Sequence, residues 1–152
     1  MPLVELPIDE LSQLQCTYGA PDDDSGLVDV LVVSFAGTYG HGSLGNSDAT
    51  YIVAKTMAGL AAYEPCSLIL DFQEMSYEWG NSIKRVWQHV SDYLDEPDEY
   101  SFPVFVVTSD RCREAFLSLF GKTEAEASVW HFRNLDDALV TAKNAAKEYL
   151  DS

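Results

Sequence analysis

Basic residues are scarce in this 152-residue chain, and the shortage limits the partners it can have. Lysine and arginine together number 9 against 25 aspartate and glutamate residues, giving a formal net charge of −16, and none of the basic residues precedes Lys55. A field of this sign repels phosphate backbones and anionic membranes and attracts basic proteins. Nucleic acid and lipid surfaces are therefore excluded as expected partners.

Cysteine is also rare, and long apolar runs are missing. Cys16, Cys66 and Cys112 are widely separated and odd in number, which favours reduced core thiols over a metal site or a disulfide framework. No run approaches the roughly 18 apolar residues of a membrane span, and the N-terminus lacks the basic and apolar regions of a secretory signal. We expect a single soluble, cytoplasmic domain over residues 1–152, without a metal or a cofactor.

Short β-branched runs alternate with amphipathic segments along the chain. The runs predict strands, the first two forming a hairpin, at 11–18, 27–35, 66–72, 102–108 and 128–132. The segments between them predict helices from Ser47 or Asp48 to Tyr63, from Ser82 to about 94, from Ser109 or Asp110 to Gly121, and from Asn134 onwards. Strands joined by single helices predict an α/β fold with a mixed, mostly parallel sheet, an N-terminal hairpin and about four helices.

One glycine-rich segment matches a nucleotide-binding pattern. The run Gly40-His41-Gly42-Ser43-Leu44-Gly45 fits G-x-G-x-x-G between a strand and a helix, and Asp71 ends a later strand as a ribose-binding acid would. However, Gly37-Thr38-Tyr39 separate the motif from its strand, and Asp71 lies beyond the usual spacing of about 20 residues. We favour a flexible surface loop over residues 37–45 and keep a small nucleotide-binding enzyme as a lesser hypothesis.

No other catalytic pattern is stronger. Asp71 and Glu74 are the residue types of an acid–base pair, but Asp71 is more simply explained by accepting hydrogen bonds from backbone donors at the strand end. Tyr39, Tyr77 and Trp79 are predicted to be exposed in loops, where aromatic side chains anchor interfaces. An interaction site is therefore favoured over an active site.

The hairpin, a strand ending in Ala36-Gly37, a helix and then the run Leu68-Ile69-Leu70-Asp71-Phe72-Gln73-Glu74-Met75-Ser76-Tyr77 together resemble the STAS family. This is the domain of anti-sigma factor antagonists and of sulphate transporter tails. Asp71 falls on the family's strand-end aspartate and Tyr77 on its aromatic position. The run Asn134-Leu135-Asp136-Asp137-Ala138-Leu139 is similar to the family's closing helix. The resemblance implies a STAS-like fold that binds proteins.

The resemblance also implies a missing phosphoacceptor. In the bacterial antagonists a phosphorylatable serine opens the helix after this loop, usually preceded by aspartate. Those positions fall on Gly80 and Trp79. Ser82, two residues later, is a possible phosphosite, and it is also explained as a helix cap.

Loops that follow parallel strands share one end of a sheet, where ligands tend to bind. The predicted partner-binding residues at this end are Tyr39, His41, Glu74, Tyr77, Glu78, Trp79 and Asn81. A secondary acidic patch at the opposite end comprises Asp95, Glu96, Asp98 and Glu99.

The expected function is a non-catalytic inhibitor or immunity-type protein that neutralises a basic partner such as a bacterial toxin. The alternative is a STAS-type anti-sigma factor antagonist or stressosome-like regulator.

Overall fold

Five β-branched and aromatic runs pair into one sheet. The computed structural model describes residues 1–23, 26–94 and 102–151. The strands lie side by side in chain order. They are β1 (Gln15–Gly19), β2 (Val30–Thr38), β3 (Ser67–Ser76), β4 (Val104–Val107) and β5 (His131–Phe132). β1 runs antiparallel to β2, and every other neighbouring pair is parallel, so the predicted mixed sheet with an N-terminal hairpin is confirmed.

Five α-helices occur in the described part of the chain. They are α1 (Asn46–Tyr63), α2 (Arg85–Leu94), α3 (Arg113–Phe120), α4 (Glu124–Ala127) and α5 (Leu135–Asp151), with 3₁₀ turns at Ile8–Leu11, Gly42–Gly45 and Ser82–Lys84. The additional helix is α4, in which the Thr123 hydroxyl accepts the Glu126 N–H and the Glu126 carboxylate accepts the Thr123 N–H. This reciprocal capping explains how so short a helix forms. None of the described helices is both long and apolar enough to cross a membrane.

The helices cover the two faces of the sheet unequally. One core cluster joins side chains of α1, α2 and α3 to Val33, Phe35 and their neighbours in the sheet. The other face is covered by α5, whose Ala138, Ala142 and Ala146 pack on a smaller cluster. Alanine keeps this helix close to the strands, and the Ser67 hydroxyl donates to the Ala142 carbonyl across 2.9 Å.

β3 carries one extra residue and extends further than expected. The register pairs Ser34 with Asp71 and Ala36 with Glu74, so two residues of β3 face one of β2 in a β-bulge. Asp71 therefore lies inside the strand rather than at its end. Its carboxylate accepts the Ser34 hydroxyl and the Gln73 N–H, each across 3.1 Å, which is the backbone-satisfying role expected of it.

Several predicted element ends are wrong. The first strand starts at Gln15, because the residues up to Leu11 form a 3₁₀ turn; the second runs from Val30 to Thr38, and the last is only His131–Phe132. Asp48 and Ser82 do not cap helices, because their side chains bond to Gly40 and Tyr39 in neighbouring loops. Ser109 does not cap α3, which begins only at Arg113; its hydroxyl donates to the Gln73 carbonyl in β3 and accepts the Arg111 N–H in the turn before the helix. The Asn134 cap is confirmed, since its side chain accepts the Asp137 N–H across 2.9 Å.

Candidate functional site

Two loops at the carboxyl ends of β2 and β3 are held together as one unit. The Tyr39 N–H donates to the Ser76 carbonyl across 2.8 Å, and the Gly42 N–H to the Trp79 carbonyl across 3.4 Å. The Tyr39 and Tyr77 rings pack edge to face, with centroids 5.2 Å apart. We call residues 39–45 and 77–81 the paired loops.

Tyr39 and Tyr77 form the buried interior of the paired loops, so their predicted exposure is wrong. They are 1% and 2% exposed, because both side chains point into the core beside the sheet. The Tyr39 hydroxyl lies 2.6 Å from the Ser82 hydroxyl, and the Tyr77 hydroxyl donates to the Gly80 carbonyl. Burial raises the pKa of both phenols, that of Tyr77 to about 12. Both tyrosines support the surface without forming it.

The glycines of the motif are packed tightly, which contradicts the flexible loop expected there. A Cβ at Gly40 would lie 2.6 Å from the Leu44 carbonyl oxygen, and one at Gly45 would overlap the Tyr39 ring. At Gly42, where φ is +54°, a Cβ would lie 2.7 Å from the Trp79 ring. These positions take glycine because the backbone comes too close to other groups for a side chain.

The backbone donor that a phosphate would need at Gly40 is already used. The Gly40 N–H donates to the Asp48 carboxylate across 2.8 Å, and the same carboxylate accepts the Ser12 hydroxyl across 2.5 Å. Asp48 is buried, so an approaching phosphate would meet a fixed negative charge at close range. The geometry therefore gives the nucleotide hypothesis no support.

The outer surface of the paired loops is aromatic and acidic. Trp79 is 58% exposed although its ring rests against Gly42. The His41 and Trp79 ring centroids are 5.7 Å apart, and His41 Nε2 lies 3.2 Å from Glu78 Oε2. Leu44, on the same turn as Gly42, is 77% exposed. We call His41, Leu44, Glu78 and Trp79 the Trp79 surface.

A third loop, after β4, adds an acidic depression beside Glu78. The Arg111 carbonyl accepts the Tyr77 N–H across 3.2 Å, and the Ser109 hydroxyl donates to the Gln73 carbonyl across 2.8 Å. The resulting depression of about 400 Å³ is lined by Ser76, Tyr77, Glu78, Asp110, Arg111, Cys112, Glu114 and Ala115. At its rim the Arg111 guanidinium lies 3.6 Å from the Glu74 carboxylate. Loops of three neighbouring strands thus meet at the expected end of the sheet.

The structure places the remaining predicted residues as follows. Glu74 and Asn81 are exposed near the paired loops, whereas Ser82 is half-buried with its hydroxyl turned to Tyr39. The secondary patch, comprising Asp95, Glu96, Asp98 and Glu99, lies outside the described residues. The sequence analysis did not predict that Leu44 and Glu114 belong to this part of the surface. For Leu44 the available signal was its position between Gly42 and Gly45, where an apolar side chain is easily left exposed.

The buried histidine His131 lies away from this surface. Its Nε2 is 2.5 Å from the Thr108 hydroxyl, and burial together with the nearby Arg113 charge lowers the pKa of its imidazole. Arg113 also donates to the Thr108 carbonyl across 2.9 Å. The contacts among Thr108, His131 and Arg113 connect the end of β4 to β5 and to α3. Across the described ranges, no three His, Cys, Asp or Glu side chains gather as a metal ion would require.

Comparisons with known proteins return no match, whether to family models, to curated proteins or to solved structures. The STAS resemblance therefore stays a prediction that rests on the residues quoted for it. The function has to be inferred from the geometry of this chain, and the Trp79 surface is its strongest feature.

Proposed function

We propose that this chain is a non-catalytic binding domain that docks a basic protein on the Trp79 surface. The observation that carries the proposal is Trp79 itself, an indole that is 58% exposed yet held in place by Gly42 and His41. An aromatic side chain that is already ordered loses little conformational entropy on binding, and tryptophan is enriched among the residues that dominate binding energy.

The acidic charge of the chain favours the same kind of partner. The net charge of −16 speeds the encounter with a basic partner and disfavours acidic competitors. Glu74 and Glu78 flank the docking site with side chains 78% and 72% exposed. Because exposed ion pairs contribute at most about 1 kcal/mol each, the acidic charge acts mainly on the association rate, and Trp79 acts mainly on the dissociation rate.

The partner class that we favour is a basic toxin or another basic enzyme, which the domain would neutralise as an immunity-type inhibitor. We place this activity in the bacterial cytoplasm, where thiols remain reduced. Cys16, Cys66 and Cys112 are all free, which supports this placement.

The two alternative functions have weaker geometric support. A STAS-type antagonist or stressosome-like regulator would need phosphorylation at Ser82, whose half-buried hydroxyl lies 2.6 Å from that of Tyr39. A nucleotide-binding enzyme would need the Gly40 N–H, which donates to Asp48. Both alternatives require an existing contact to break before their ligand or phosphate can be accommodated.

Affinity capture from the native cell lysate with matched variants tests the proposal. Tyr93, in α2, is an aromatic residue with 57% exposure against 58% for Trp79, so Tyr93→Ala controls for the loss of an exposed ring. We expect a stoichiometric basic protein to be captured by the wild type and by Tyr93→Ala, and to be reduced at least about tenfold by Trp79→Ala. Capture that is equal in both variants, or that yields no basic protein, contradicts the proposal.

The contribution of charge has a separate test. Glu74→Gln/Glu78→Gln should slow association with the captured partner and flatten its salt dependence. Glu10→Gln/Glu148→Gln removes the same formal charge from exposed residues elsewhere. Equal association rates for the two double variants, measured by surface plasmon resonance, would show that these carboxylates do not guide the partner.

A further inference from the structure

The Trp79 surface combines an aromatic ring with a carboxylate, two groups that can bind the side chain of a basic residue. We propose that it selects arginine over lysine, with a guanidinium of the basic partner stacked on the Trp79 indole and bonded to Glu78. This inference rests on the proposed function and narrows it from a basic partner to an arginine-bearing segment of that partner.

Three neighbouring side chains, His41, Trp79 and Glu78, form the part of the surface that would bind the guanidinium. The His41 ring is planar, carries nitrogen atoms that can bond a carboxylate, and lies beside the indole with ring centroids 5.7 Å apart and an interplanar angle of 31°. Its Nε2 is 3.2 Å from Glu78 Oε2. A planar nitrogen group thus lies against the indole while it contacts a carboxylate, and a guanidinium can make the same two contacts, with closer stacking on the ring.

Trp79 and Glu78 both keep exposed surface that a further group can contact. The His41 contact involves Oε2 of Glu78, and the Glu78 side chain is 72% exposed. Trp79 is backed by Gly42 on one side and is exposed over more than half of its surface. The indole and the carboxylate therefore both retain room for one more group.

Arginine and lysine differ in the contacts that each can make at this surface. A guanidinium is flat and weakly hydrated and can bond a carboxylate while it stacks, whereas an ammonium is a compact and strongly hydrated point charge. Cation–π contacts with tryptophan are the strongest of their type and are made more often by arginine. Long-range attraction by the −16 net charge treats both residues alike, so any preference has to arise from local contacts at the Trp79 surface.

Two synthetic peptides with equal charge test the inference on the intact chain. Both are 12 residues long with four basic residues spaced by Gly and Ser, one carrying arginine and the other lysine. Binding is measured by calorimetry at about 0.15 M salt, where surface charges are screened beyond about 8 Å. We expect the arginine peptide to bind about fivefold tighter and to shift the NMR signal of the Trp79 indole N–H.

Variants locate the preference. Trp79→Leu and Glu78→Gln should each bring the affinity ratio of the two peptides close to one, while Tyr93→Leu should keep it. The variants are on the exposed surface, and unchanged melting curves establish that they fold. Retention of the preference in both Trp79→Leu and Glu78→Gln overturns the inference, because the arginine would then bind elsewhere.

The peptide results separate this inference from the proposed function. If the wild type binds both peptides with equal affinity and Trp79→Leu binds both more weakly, the arginine preference is overturned. The docking of a basic partner on the Trp79 surface then still stands. Failure of both peptides to bind at about 1 mM and 0.05 M salt also overturns the preference, because steering persists at low ionic strength. The lysate capture then decides the proposed function independently.

Discussion

Gly42 holds Trp79 in place by leaving space for its ring. Its φ of +54° disfavours any residue with a Cβ, and that Cβ would also lie 2.7 Å from the indole. The left-handed backbone costs about 1–2 kcal/mol for a non-glycine residue. Displacement of the ring is an additional effect that only this position should show.

We therefore expect Gly42→Ala to lower stability by about 1–2 kcal/mol and to shift the fluorescence emission of Trp79. Gly121→Ala is the matched control, because φ is +63° there and no atom lies within 4 Å of the added Cβ. It should lower stability with no change in emission or in partner binding. If both variants leave the emission unchanged, Gly42 does not position the indole.

His131 makes stability depend on pH. Burial and Arg113 hold its pKa below the usual value, so the folded state disfavours the protonated ring. The unfolded chain takes up the proton near pH 6.5. The contribution of His131 to the free energy of unfolding is therefore fully present above about pH 6.5. It is lost as the pH falls below that value, because the unfolded state then binds more protons than the folded state.

The free energy of unfolding, measured by urea titration between pH 7 and pH 5, should thus fall with pH in the wild type. The slope should be shallower in His131→Gln, which removes the titrating group. His89→Gln is the control, since His89 is exposed on α2, and it should keep the wild-type slope. An unchanged slope in His131→Gln would assign the pH dependence to other groups.

The site residues differ in how far sequence could predict them. Alternate residues of β2 face the larger core, and Tyr39 follows Val33 and Phe35 in this alternation. A strand predicted to reach Thr38 would therefore have predicted the burial of Tyr39 as well. Tyr77 could not, because the extra residue in β3 changes the parity before it. Trp79 was predicted to be exposed, and it is.

At the scale of whole elements, α1 approaches the sheet through Gly59. A Cβ at this position would lie 2.7 Å from the Tyr18 ring and 2.9 Å from Leu31 Cδ2. Helix propensity alone favours alanine by about 1 kcal/mol, whereas overpacking a core contact costs about 1–3 kcal/mol. Because the overpacking cost exceeds the gain in helix propensity, alanine should be unfavourable at this position.

Gly59→Ala should accordingly destabilise the protein despite improving the helix. The expected net loss in chemical denaturation is up to about 2 kcal/mol. In a Tyr18→Ala background Gly59→Ala should be neutral or stabilising, because the Tyr18 ring no longer overlaps the added Cβ. A stabilising effect in the wild-type background would mean that the helix shifts without cost.

Element order was predictable and element ends were not. Apolar periodicity located the buried strands and the long helices because burial requires it. Asp48, Ser82 and Ser109 resemble caps because cap residues and residues that tie loops together need the same short polar side chains, and only the folded chain shows which hydrogen-bond partner is within reach. The short helix α4 did carry a sequence signal, the spacing of Thr123 and Glu126.

At the scale of the whole molecule, the net charge of −16 opposes folding. Like charges are closer in the folded state, and added salt screens their repulsion over about 10 Å at 0.1 M. Ion pairs respond in the opposite direction, but those of Arg133 with Glu124 and of Lys55 with Asp9 include exposed side chains. Such pairs contribute at most about 1 kcal/mol each.

Raising sodium chloride from about 0.05 to 0.5 M should therefore raise Tm by about 3 °C, equivalent to about 1 kcal/mol for a domain of this size. Differential scanning calorimetry measures the shift. The gain should be smaller in Glu10→Gln/Glu148→Gln, which lowers the repulsion in advance. A Tm that falls with salt would mean that attractive pairs outweigh the overall repulsion.

The extra residue in β3 also links two positions in the evolution of this chain. Gly37 pairs with Met75 beyond the bulge, so losing the residue at Gln73 would straighten the strand while Met75 and Tyr77 still face the larger core. The Asp71 carboxylate, which accepts the Gln73 N–H, would then have one donor fewer to satisfy. Among descendants of this chain, a one-residue gap at 73 and replacement of the acid at 71 should therefore occur together, and neither change should disturb the paired loops.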